Sequence, residues 1–158
     1  MKAQYKGGFF LLDGLQTSVS TKGFACKCCG VIDVEESLVR AIIKLETELG
    51  KKIYVTNSTR CVKHNAEVGG SKNSTHLPAT TAIDFYCNDV PVEDVFMTAV
   101  EIFNGVGVYW DGQHTFYHVD LRPNKLYWRH IKSYKYDTTE NTLDEYKSEI
   151  DKIKNERR

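Results

Sequence analysis

The strongest periodicity in the chain runs from Val34 to Leu49. Val34, Leu38, Val39, Ile42, Leu45 and Leu49 recur at the three-and-four spacing of one helix face. Asp33 with Glu36 three positions on reads as a capping box at its start, and Gly50 as its stop. A second amphipathic helix is expected after Asp89 and Pro91, with Val92, Val95, Phe96, Ala99, Val100 and Phe103 on its apolar face and Asn104-Gly105 closing it. The β-branched, alternating stretches Ile53 to Asn57 and Ala82 to Cys87 predict strands, and the polar segment from Asn65 to Ser74 between them reads as a long loop. Gly105 to Trp110 and Thr115 to Leu121 predict two more strands. Their connector, Asp111-Gly112-Gln113-His114, holds an Asp-Gly pair and predicts a hairpin.

The ends are less patterned. Residues 1–30 are rich in Gly, Lys, Thr and Ser, with short alternating pieces such as Leu15 to Ser20, and read as an irregular or edge-strand lead-in. From Thr138 the composition becomes mostly charged, and Leu143, Tyr146, Ile150 and Ile153 leave one narrow apolar stripe, predicting a solvated terminal helix docked by that stripe. The order helix, strand, loop, strand, helix, hairpin points to the α+β class: a small antiparallel sheet with helices packed on one side. At 158 residues the chain suits a single domain over 1–158, divided into the lead-in (1–30), a core (31–130) and the charged helix (138–158).

Composition narrows the partners. The 21 Lys and Arg are balanced by 21 Asp and Glu, which argues against nucleic acid or an anionic membrane surface as a partner. The apolar run Phe9 to Leu12 is too short for a signal-peptide core or a membrane span, so the expectation is a product made in the cytoplasm and not inserted in a membrane. Of the five cysteines, three crowd into Cys26-Lys27-Cys28-Cys29, with Cys61 and Cys87 far along the chain. Two Cys-x-x-Cys pairs, or one with a His pair, would mark a structural zinc site, and neither is present. The cysteines therefore read as reduced thiols packed as small hydrophobes, with a disulfide from Cys61 to the cluster or a second metal at Cys26, Cys28, Cys29 and Cys61 as the alternatives.

Strand alternation sorts the candidate chemistry. It places Ala82, Asp84 and Tyr86 on one face of their strand, opposite Ile83, Phe85 and Cys87, and it places Phe116, His118 and Asp120 opposite Tyr117, Val119 and Leu121. Each strand thus turns metal-ligand chemistry away from its mainly apolar side. With His76 delivered by the preceding loop, two histidines and a carboxylate can converge on one cation and leave a fourth position for water, the catalytic form of a zinc site.

These residues sit in an ordered series of short motifs: Phe24-Ala25-Cys26-Lys27-Cys28, Ser58-Thr59-Arg60-Cys61, His64-Asn65, Gly69-Gly70-Ser71, Ser74-Thr75-His76-Leu77, Ala82-Ile83-Asp84, Gly105-Val106-Gly107-Val108-Tyr109 and Phe116-Tyr117-His118-Val119-Asp120-Leu121-Arg122. Over roughly Phe24 to Trp128 the series resembles the zinc D-Ala-D-Ala carboxypeptidase and VanX-like family. That family belongs to the superfamily of lysostaphin-type enzymes and the hedgehog domain, and the likeness is greatest to its small bacteriophage branch. The resemblance implies a hedgehog or D-Ala-D-Ala peptidase-like fold, with Zn²⁺ held by His76, Asp84 and His118. It implies Arg60 as anchor for a substrate carboxylate or carbonyl, with a structural salt bridge as the other reading, and Ser74 and Tyr109 as further substrate contacts. Trp110, Tyr117 and Trp128 are candidate cleft walls.

The implied reaction is metal-assisted hydrolysis of a peptidoglycan stem or cross-link peptide by a phage lysin or virion-borne protein acting at the bacterial wall. The other reading is a zinc-containing module that binds a peptide or virion component without turnover. Two departures from the family pattern stand out. Asp84 lies eight residues after His76, where the family has seven, and Thr115 occupies the place of the acid three before the last His. Asp120, on the same strand face as His118, is then the expected general base, with Asp111 and His114 as alternatives.

Overall fold

The computed structural model describes residues 1–110, 113–131 and 134–138, together with 148 and 155. The lead-in is more ordered than its composition suggests. Strands β1 (Gln4–Lys6), β2 (Phe9–Leu12) and β3 (Leu15–Ser20) form an antiparallel three-stranded sheet. It delivers Phe10 and Val19 into the main core, where Phe10 meets Phe24, four residues beyond β3, edge to face at 4.8 Å. Burying each of these rings contributes about 1.5–3 kcal/mol, enough to make a short lead-in part of the domain.

Helix α1 (Glu36–Leu49) buries Leu38, Val39, Ala41, Ile42 and Leu45, as its periodicity requires, and ends at Gly50. The expected capping box does not form. Glu35 is the N-cap and makes no side-chain cap, Asp33 pairs with Lys2 Nζ at 3.2 Å, and Glu36 pairs with Arg40 at 2.6 Å. The helix start is held by backbone instead: Glu36 N–H donates to Met1 O at 2.8 Å and Glu35 N–H to Thr80 O at 2.9 Å.

Strand β4 (Tyr54–Asn57) is followed by helix α2 (Val62–Glu67), whose last residues fall inside the segment expected to be loop. Strand β5 (Ala82–Tyr86), helix α3 (Val92–Ile102), β6 (Gly105–Trp110) and β7 (Thr115–Asp120) lie where the pattern puts them, and β6 and β7 pair as an antiparallel hairpin. Two further strands, β8 (Leu126–Ile131) and β9 (Tyr134–Thr138), complete a six-stranded sheet in the order β4-β5-β7-β6-β8-β9. Its pairs are antiparallel except β6 with β8, so the α+β sheet is mixed at that one seam.

One face of the sheet supplies Ile83, Phe85, Val106, Val108, Tyr117 and Val119 to a core shared with α1 and α3. The opposite face carries Asp84, His118 and Asp120 together with Tyr109, Phe116 and Trp128. The charged helix expected over 138–158 lies outside the described residues apart from Thr138, which ends β9, and positions 148 and 155. No described helix is long and apolar enough to cross a membrane.

Candidate metal centre

The register of the central strands builds the site. Asp84 on β5 is directly opposite His118 on β7, Ala82 is opposite Asp120, and Asn57 on β4 is opposite Asp84. Because period-two alternation keeps Ile83, Phe85 and Val119 in the core, Asp84 and His118 share the other face. The extra residue between His76 and Asp84 is absorbed in the loop before β5. That loop is strapped: Arg60 N–H donates to His76 O at 2.8 Å, Thr80 Oγ1 to the same oxygen at 3.1 Å, and His76 N–H to Ser74 Oγ at 3.2 Å.

Three donor atoms meet. His76 Nε2 is 3.2 Å from His118 Nδ1 and 3.4 Å from Asp84 Oδ1, and His118 Nδ1 is 2.9 Å from Asp84 Oδ1. Ligands about 2.0–2.1 Å from a tetrahedral zinc are separated by roughly 3.3 Å, so this triangle has the size of one face of a zinc coordination sphere. The far nitrogens are also committed. His76 Nδ1–H donates to Ser58 O at 2.7 Å and His118 Nε2–H to Asp120 Oδ2 at 2.7 Å, so with a metal bound the lone pairs of His76 Nε2 and His118 Nδ1 would be the ones turned to it. The residues therefore fit a divalent zinc ion.

The electrostatics match that use. Burial pushes the Asp84 carboxyl upward, but hydrogen bonds from His118 and His76 outweigh it and hold the group well below the usual carboxylate range. Burial lowers the His118 pKa, and the carboxylates of Asp120 and Asp84 raise it further than burial lowers it. Asn57 Nδ2 donates to Asp84 Oδ2 at 2.8 Å, and Arg60 Nη2 lies 3.6 Å from the same oxygen, so the carboxylate is fixed from behind.

Asp120 departs from the expectation of a general base. It is wholly buried and sits on the nitrogen of His118 that faces away from the donor triangle. Its carboxylate also accepts from Thr75 Oγ1 at 3.2 Å, from Arg122 N–H at 3.0 Å, from Arg122 Nε at 2.8 Å and from Arg122 Nη2. Burial raises its pKa, yet Arg122 and His118 hold it well below the ordinary carboxylate value. A carboxylate so engaged orients a histidine and has no free lone pair turned toward the cleft. Of the alternatives, His114 is exposed and lines a separate hollow with Asn88 and Val90, and Asp111 lies outside the described residues.

A cleft opens over the donor triangle. Arg60, Ser74, Tyr109, Phe116, Arg122 and Trp128 are among the residues lining it. Tyr109 stacks on Phe116 with ring centres 4.7 Å apart and accepts a hydrogen bond from Trp128 Nε1 at 2.7 Å, while Arg122 lies over the Trp128 ring at 5.0 Å. Arg60, Ser74 and Tyr109 thus share this cleft with the donor triangle. Trp110 and Tyr117, by contrast, are buried on the core face. The glycines of Gly105-Val106-Gly107 have a steric reason: a Cβ on Gly105 would sit 2.3 Å from Asp120 Oδ1, and one on Gly107 would sit 2.5 Å from the Trp128 indole.

Arg122, Asn57 and the Ser58 carbonyl are site components that sequence reasoning passes over. Arg122 stands two residues beyond Asp120 in the quoted motif, and its spacing on an outgoing strand end was the available signal. A backbone carbonyl such as that of Ser58 carries no residue-type signal at all.

The peptidase M15 family model matches residues 10–120. The chain belongs to this family, whose members are zinc-dependent peptidases, and the matched span contains all three donor residues. No curated protein and no solved structure matches it.

Proposed function

We propose that the chain is a zinc peptidase that hydrolyses peptidoglycan stem or cross-link peptides, of the D-Ala-D-Ala carboxypeptidase or endopeptidase kind, as a phage lysin or virion-borne protein acting at the bacterial wall. The observation that carries this reading is the open triangle of His76, Asp84 and His118, with three protein donors rather than four, facing a cleft. A zinc ion bound there supplies Lewis acidity, polarising a carbonyl and lowering the pKa of water toward about 7.

The protein's own groups do the rest. Asp120 and Ser58 hold the two imidazoles in the tautomers that present Nδ1 and Nε2. Arg60 offers a guanidinium at the cleft edge to a substrate carboxylate or carbonyl, for which its fork of donors is suited. Tyr109, Phe116 and Trp128 give an apolar wall against which a short peptide can lie, and Ser74 offers a hydroxyl to its backbone. Among the described residues lining the cleft, Asp84 is the one carboxylate, and it belongs to the donor triangle. The proton acceptor to test is therefore Asp111, in the connector between β6 and β7.

That Asp84 is the one carboxylate among the described cleft residues favours a second reading, a zinc-containing module that binds wall peptides or virion components without cutting them. Purified peptidoglycan incubated with the zinc-loaded protein separates the two. Mass spectrometry should find newly freed amino and carboxyl termini with wild type and none with His118→Ala. Wild-type protein that sediments with the wall, needs zinc to do so and releases no termini would establish the binding module instead.

A further inference from the structure

Away from the cleft, a second set of metal-type ligands comes together. The segment Cys26-Lys27-Cys28-Cys29-Gly30 contains a Cys-x-x-Cys pair, Cys26 and Cys29, followed directly by glycine. It folds as a tight turn: Gly30 N–H donates to Cys26 O at 2.7 Å and Cys26 N–H donates to Val31 O at 2.8 Å. Gly30 takes φ of 75°, a left-handed conformation that an L side chain rarely adopts, so the residue after the pair must be small for the turn to close.

Cys61 completes the arrangement from the other side of the chain. Its N–H donates to Cys26 Sγ at 3.3 Å, and its own Sγ accepts the His64 N–H at 3.4 Å as the N-cap of α2. The sulfurs of Cys26, Cys29 and Cys61 all lie within 4.8 Å of one another. Sulfurs bound at about 2.3 Å to a tetrahedral zinc stand roughly 3.8 Å apart, so closing this triangle onto an ion needs only a small contraction. The missing second pair, which argued against a metal at the level of sequence, is replaced in space by Cys61.

We propose that Cys26, Cys29 and Cys61 hold a second, structural zinc ion, with the neighbouring exposed Cys28 as the sulfur that closes the site. A disulfide would join two of the sulfurs and leave the third beside it. Three converging sulfurs with backbone N–H groups directed at them are the arrangement that stabilises thiolates. The Cys61 N–H, 3.3 Å from Cys26 Sγ, and the His64 N–H, 3.4 Å from Cys61 Sγ, act in this way. Cys26 is 2% exposed, which removes it from contact with any substrate and rules against a nucleophilic role. Thiolate softness selects zinc among redox-inert divalent ions.

The position gives the ion a purpose. It would clip the turn at 26–31 to the segment Ser58–Cys61, whose Ser58 carbonyl orients His76 and whose Arg60 reaches Asp84. Thr59 N–H already donates to Phe24 O at 3.1 Å along the same seam. The inference rests on the sulfurs alone and does not depend on the peptidase reading.

Cobalt substitution of the full chain, purified under reductant, tests it, because the cleft site offers only nitrogen and oxygen donors. Wild-type protein should bind about two zinc ions, and its cobalt form should show thiolate-to-metal charge-transfer absorption in the near ultraviolet. His76→Ala/His118→Ala should keep about one ion and that absorption, whereas Cys29→Ser, at an exposed position, should lose the absorption while the cleft ion stays. Cobalt-loaded wild type without charge-transfer absorption would overturn the proposal. So would a disulfide among Cys26, Cys28, Cys29 and Cys61 found by mass spectrometry in protein kept reduced throughout.

Discussion

Replacing Asp120 by asparagine separates holding a metal ligand from accepting a proton. The substitution keeps the shape of the side chain and removes its charge. In the structure that charge receives the His118 Nε2–H at 2.7 Å together with donors from Arg122 and Thr75. An amide can accept through one oxygen only, and its NH₂ would face either His118 or Arg122, both of which are donors. A hydrogen bond to a charged group contributes about 1.5–3 kcal/mol, and at 1.4 kcal/mol per decade that corresponds to roughly a 10–100-fold change in the equilibrium it supports. The same range is found when the outer partner of a zinc-bound histidine is removed, about 10–100-fold in metal affinity or activity. Asp120→Asn should therefore weaken zinc binding by roughly that factor, and saturating zinc should restore most of the rate. Competition with a chelating dye gives the affinity, and wall-peptide hydrolysis at rising zinc gives the rate. Undiminished zinc affinity with a rate loss of about 10² or more at saturating zinc would refute the reasoning and make Asp120 the proton acceptor after all.

Other changes probe neighbouring parts of the site. Gly105→Ala places a methyl group 2.3 Å from Asp120 Oδ1, and should cost about 1–3 kcal/mol of stability, read by denaturant unfolding, and weaken zinc as Asp120→Asn does. Arg60→Ala should lower kcat/KM about 10–100-fold with zinc content unchanged, and loss of the metal instead would make Arg60 a prop for Asp84 alone. The His118 pKa is raised by Asp120 and Asp84 beyond what burial takes away, so the metal-free chain holds a proton there above the ordinary imidazole range. Zinc must displace it, so affinity should fall as pH drops below that raised value, and zinc addition to weakly buffered protein should acidify the solution. By the same sign, the stability this proton gives the metal-free fold is complete below the unfolded histidine value of about 6.5 and is lost as pH rises through the folded one.

The parts of the molecule legible in sequence are those fixed by period. Asp84 and His118 are readable because Ile83, Phe85 and Val119 must face the core, which leaves their neighbours one direction to point. His76 lies on a loop, where no period applies, and is found only through its motif. Alternation also puts Asp120 on the face of His118, but it cannot say which imidazole nitrogen the carboxylate meets, and that choice decides between base and orienter. It was set by Arg122 folding back onto Asp120 and by the space that Gly105 leaves.

Strands β8 and β9 were missed for a different reason. Parallel pairing of β8 with β6 is a long-range choice with no local turn signal, unlike the Asp-Gly connector that announces the hairpin. In α1 the capping box was overridden by tertiary contacts, as Lys2 and the backbone of Met1 and Thr80 took the groups it would have used. The thiol cluster was hidden because Cys61, distant in sequence, joins Cys26 and Cys29 only in the fold.

Crystals of zinc-loaded protein measured on either side of the zinc absorption edge test the metal centre most directly. The expected anomalous peak lies about 2.0–2.1 Å from His76 Nε2, His118 Nδ1 and an Asp84 oxygen, on the side open to the cleft. A fully zinc-loaded crystal with no peak there, or with His118 bound through Nε2 in place of its contact with Asp120, would contradict it.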